Sequence, residues 1–107
     1  MENNRLNRVR LTPRQLDLIR LVAKETLHVP YGLYLFGSRL EPEAKGGDID
    51  LMLEFLEPCQ EAFKLSSQFK AKVMMALGGL KVDVILKAEG FKHLSIHDVA
   101  LAEGVQL

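Results

Sequence analysis

The 107-residue chain has no tryptophan, one cysteine and four prolines, and its 14 basic and 14 acidic side chains cancel. The lone cysteine, Cys59, excludes an intrachain disulfide and fits a reducing compartment such as the cytoplasm. Zero net charge argues against a broad basic surface for duplex nucleic acid, because phosphate neutralisation dominates that affinity. No apolar run approaches membrane-spanning length, and the N-terminus carries no signal-peptide core. Internal repeats and low-complexity stretches are absent too. What remains is the composition of one globular domain, large enough for a single core.

The charges that are present are unevenly placed. Met1 to Leu27 carries Arg5, Arg8, Arg10, Arg14, Arg20 and Lys24, whereas Glu41 to Glu61 is acidic with Lys45 its only base. Residues 1–11 read as a basic arm, and 12–107 as the folded domain. Thr12, Pro13 and Gln15 form an N-cap, a first helical residue and a capping-box partner. The helix they open should run to about Leu27, with Leu16, Leu18, Ile19, Val22, Ala23 and Leu27 on its apolar half. His28-Val29-Pro30 ends it. An apolar strand follows from Tyr31 to Gly37, and a second spans Asp48 to Phe55. A second helix is expected over roughly Pro58 to Leu77, stopped by Gly78-Gly79. Lys81 to Leu86 reads as a third strand, and Ser95 to Asp98 as a capping box opening a short helix. Val105 to Leu107 adds a last short strand. The order helix, strand, strand, helix, strand, helix predicts a small α/β (α+β) fold, a sheet with helices packed on it.

Chemistry gathers around the first two strands. Gly37 lets the backbone turn sharply, and Ser38 places a hydroxyl beside exposed N–H groups, which makes an anion cradle. Strand alternation puts Asp48 and Asp50 on one face, with Ile49, Leu51 and Leu53 on the other. Neighbouring carboxylates repel, and a hard divalent cation between them removes that cost. Asp83 interrupts the third strand, where an apolar residue would fit the pattern better. Asp-x-Asp alone is usually solvated surface, and Gly-Ser alone is usually a turn. The combination of cradle, paired acids and third acid points to a nucleoside triphosphate with a metal. His28, His93 and His97 lack ligand spacing and suit surface or helix-end roles. Met74 and Met75 read as core filling, and Cys59 as a helix-start residue without chemistry.

These residues resemble the nucleotidyltransferase superfamily that includes DNA polymerase β, and more narrowly its minimal single-domain branch in bacteria and archaea. The likeness rests on Gly37-Ser38, on Asp48-Ile49-Asp50-Leu51-Met52-Leu53, and on Asp83 within Lys81-Val82-Asp83-Val84-Ile85-Leu86. It covers nearly all of the chain past Tyr31. Two positions depart from the family's pattern. Arg39-Leu40-Glu41-Pro42 stands where small and basic residues are common, and Gly47 stands where a serine often precedes the first aspartate.

The resemblance implies a nucleotidyltransferase fold: a mixed sheet with three aspartates converging at one edge of a cleft. It implies Mg²⁺, with two ions held by Asp48, Asp50 and Asp83, and ATP as substrate. Gly37, Ser38 and Arg39 would contact the phosphates, and AMP would pass to a hydroxyl. It also implies a small helical HEPN-type partner, with this chain as the antitoxin of a toxin–antitoxin pair. A chain of this length has no room for a separate acceptor-binding domain, so the acceptor is expected on a second subunit or on the partner itself. The alternatives are a binding module that neutralises a partner by occlusion, and nucleotidyl transfer to a small molecule. A sugar-nucleotide transferase using Asp-x-Asp would need a longer sheet domain and would leave Gly37-Ser38 idle.

Overall fold

A computed structural model describes residues 11–37 and 49–107. Among the described residues, three helices pack on a four-stranded mixed sheet of order β3-β2-β1-β4. Helix α1 is Pro13–Thr26, β1 is Tyr31–Phe36 and β2 is Ile49–Phe55. Helix α2 is Ala62–Ala76, β3 is Val82–Lys87, α3 is Ser95–Glu103 and β4 is Val105–Gln106. Strand β1 pairs antiparallel with both β2 and β4, and β2 pairs parallel with β3 through the α2 crossover.

Helix α1 starts as its cap residues dictate. Gln15 N–H donates to the Thr12 hydroxyl and Thr12 N–H donates to Gln15 Oε1, each at 3.0 Å. Ile19, Val22, Ala23 and Leu27 are buried, and Leu21, which lies off the stripe, is exposed. Thr26 is buried as well, an addition the hydropathy stripe does not contain. Leu11, drawn with the arm on sequence, packs partly buried against the core.

Helix α2 begins at Ala62 and not at Pro58. The segment before it turns on itself, with Ala62 N–H donating to the Cys59 carbonyl at 3.3 Å. Cys59 therefore precedes the helix as part of that turn. At the far end Gly78 and Gly79 take φ of 73° and 91°. Their N–H groups donate to Met75 at 3.2 Å and Met74 at 2.8 Å, which satisfies the last carbonyls of α2. Ala62, Phe69 and Val73 of α2 join the α1 stripe over Leu33, Leu35, Ile49, Leu51, Leu53, Phe55 and Val82. These alternate strand positions form one face of the sheet.

Helix α3 touches β1 and hydrogen-bonds to β3 at Leu86, so it lies on the opposite face. Met52, fully buried yet absent from the α1–α2 core, points to that side. The cap of α3 is displaced by one residue from the expected Ser95 and Asp98. Leu94 is the N-cap residue and His97 supplies the reciprocal bond. Asp98 is instead held by His93 at 2.8 Å. The imidazole of His97 reaches the Leu94 amide, and this ring takes the part that a glutamate or glutamine side chain takes in a capping box.

Candidate functional site

Parallel pairing of β2 with β3 decides how the acids meet. The register sets Asp50 opposite Asp83, Met52 opposite Ile85 and Glu54 opposite Lys87. Alternation puts all six on the sheet face away from α1 and α2. At one end of this ladder the opposite charges meet, with Lys87 Nζ donating to Glu54 Oε2 at 3.0 Å. At the other end two half-buried carboxylates stand directly across from each other. Like charges in that relation are destabilising, and a bound cation would remove the penalty.

Both aspartates lie near the starts of their strands, at the edge where antiparallel β1 ends. Phe36 pairs with Asp50, and Gly37 follows at φ 80°. A Cβ built on Gly37 would collide with an Asp50 carboxylate oxygen and lie 3.2 Å from Asp50 Cγ. The left-handed backbone favours glycine here, and any Cβ would also require the Asp50 side chain to shift. The missing side chain leaves room for the Asp50 carboxylate.

The structure thus brings Asp50, Asp83 and Gly37 together at one edge. Asp48, Ser38 and Arg39 lie outside the described residues. Among the described residues no group of three or more potential ligands is gathered, because this edge contributes two carboxylates there. The donor chemistry still fits a hard cation: two carboxylates on adjacent, hydrogen-bonded strands, with oxygen ligands only.

Two features of the second face were not read from the sequence. One is the Glu54–Lys87 pair, whose partners are 33 residues apart and meet only through the strand register. The other is the burial of His97, which is 3% exposed. Its position three residues after Leu94 was visible, but the pattern of capping residues does not include histidine. A cavity of about 410 Å³ opens beside both features, at the carboxyl ends of β2 and β3. Among the described residues no helix is long and apolar enough to cross a membrane.

No protein family matches the chain by its sequence profile. None of the curated proteins matches it in sequence either. Four solved chains do match in fold. One is the crystal structure of a protein from Shewanella oneidensis, with a TM-score of 0.63 and 18% identity over 91% of this chain and 71% of that one. At that level of identity the likeness establishes a shared fold.

Proposed function

We propose that this chain is a Mg²⁺-dependent nucleotidyltransferase that moves AMP from ATP to a hydroxyl of a protein partner. The partner would be a small helical HEPN-type protein, with this chain as the antitoxin of the pair. The observation that carries the reading is the register of Asp50 against Asp83, at the strand edge where Gly37 turns. Two carboxylates on adjacent strands offer oxygen ligands that a hard divalent cation can bridge.

Asp50 and Asp83, with Asp48, would hold the metal. A Mg²⁺ ion held by these residues would supply charge neutralisation at the α-phosphate, a contribution of several kcal/mol in reactions of this class. Gly37 and Ser38 would receive the β- and γ-phosphates through backbone N–H groups and the hydroxyl, and Arg39 would add a charged donor. The acceptor oxygen forms a bond to the α-phosphorus as the bond to the pyrophosphate oxygen breaks. Asp83 takes the acceptor's proton, and pyrophosphate leaves with the displaced electron pair.

The test uses ATP labelled at the α-phosphate, Mg²⁺, this protein and the protein encoded beside it. Label on the partner, lost with Asp50→Asn, is the expected result. Absence of label, with parent and Asp50→Asn silencing the partner equally, would establish the occlusion reading instead. Label on a small molecule and none on the partner would keep the chemistry and replace the acceptor.

A further inference from the structure

His97 is a buried titratable side chain that the proposed chemistry leaves unused. Both of its ring nitrogens are engaged. The Leu94 backbone N–H donates to Nδ1 at 2.9 Å. A backbone N–H is only a donor, so Nδ1 must present a lone pair. Nε2 lies 2.9 Å from the Leu86 carbonyl oxygen. A carbonyl is only an acceptor, so Nε2 must carry the hydrogen. Together the two contacts select one form of the ring, neutral imidazole with its hydrogen on Nε2.

That form has two structural effects. The bond from Leu94 satisfies a donor at the start of α3, as Gln15 Oε1 does for Thr12 in α1. The bond to Leu86 fastens the same turn of helix to β3. Helix α3 runs through Gly104 directly into β4, which pairs with β1. The imidazole therefore sits where the helix, the β3 strand and the approach to β4 are tied together.

We infer that His97 is a proton-operated latch on α3. The neutral ring holds the first turn of the helix to the sheet. A doubly protonated ring has no lone pair, so the Leu94 N–H would face another N–H and the cap would open. The surroundings offer the imidazolium little in exchange. From the loop before α3, the His93 ring lies 5.1 Å away and is bonded to Asp98 of α3 at 2.8 Å. From the strands, Glu54 of β2 is held by Lys87 of β3. Glu89 and Lys92 line the same cavity wall. Glu54 and Asp98 are thus already engaged, and the exposed Glu89 and Lys92 side chains carry opposite charges.

His97→Gln separates the latch from ordinary packing. A glutamine amide can accept from Leu94 through its oxygen and donate to Leu86 through its nitrogen, and it does not titrate in this range. The readouts are ring ¹⁵N shifts of His97 and amide hydrogen exchange across 95–103, followed from about pH 7.5 to about pH 5.5. The expected results are an Nε2–H ring at the upper pH and roughly tenfold or greater loss of α3 protection at the lower. Amides of α1 and α2 should keep theirs. His97→Gln should match the parent at the upper pH and lose no α3 protection at the lower, whereas His93→Gln should still show the loss. Parallel acid loss in His97→Gln and parent would overturn the inference. Should His97→Gln fail to fold, the parent decides alone: an Nδ1–H ring, or His97 titration without a change at the Leu94 amide, sinks the latch.

Discussion

The Asp50 carboxylate occupies the space that a Cβ on Gly37 would need. The end of β1 and the start of β2 are fitted to each other at this point, and Gly37 also holds a positive φ. Gly90 has a similar φ of 88° but open space where its Cβ would go. Gly90→Ala should therefore show the backbone strain alone, on the order of 1 kcal/mol. Gly37→Ala should cost more, because Asp50 must also move. Urea unfolding of the two variants checks this, and equal losses would mean that Asp50 gives way freely.

Asp50→Asn keeps the side-chain shape and removes one negative charge from the like-charge pair. Transfer of AMP should fall a hundredfold or more, equivalent to about 3 kcal/mol in the transition state. The fold should be kept, because the amide fills the volume of the carboxylate. Rates and melting curves on the same preparation provide the check. Near-parent transfer by Asp50→Asn would remove it from the catalytic set.

Metal binding can be followed without any substrate. Mg²⁺ at about one hundred times its dissociation constant should stabilise the fold by roughly 2.7 kcal/mol. Asp83→Asn should abolish most of that gain, since it removes one of the two carboxylates that the described residues place at the strand edge. Denaturation midpoints with and without Mg²⁺ supply the comparison. A gain undiminished in Asp83→Asn would place the cation elsewhere.

Thr26 is 5% exposed, and its hydroxyl is buried without a hydrogen-bond partner among the described residues. Burying an unsatisfied hydroxyl costs on the order of 1–3 kcal/mol. Thr26→Val replaces it with a methyl of similar shape and should raise stability by about 1 kcal/mol, less a small loss from helix propensity. Chemical denaturation measures the change, and a loss would show that the hydroxyl has a role the fold depends on.

The local elements were legible in the sequence because their signals lie within a few neighbouring residues. Thr12, Pro13 and Gln15 open α1 as written, and Gly78-Gly79 closes α2 with both glycines at positive φ. Period-two alternation separated Asp50 from Leu51 and Leu53, and Asp83 from Val82 and Val84. The two departures are a backbone turn at Cys59 that delays α2, and a histidine side chain that takes the capping part in α3. By itself the sequence determined which strand residues face the core and that Asp50 and Asp83 stand on the other side. It determined this because helices and strands repeat at fixed periods. The tertiary structure alone decided that Asp50 and Asp83 share one register, that Lys87 reaches Glu54, and that Asp50 lies against Gly37. Those relations join residues 33 apart across parallel strands, or 13 apart across an antiparallel pair. Strand order and register follow from how α1, α2 and α3 bury the two faces of the sheet together, a condition on the whole chain that no short stretch of it contains.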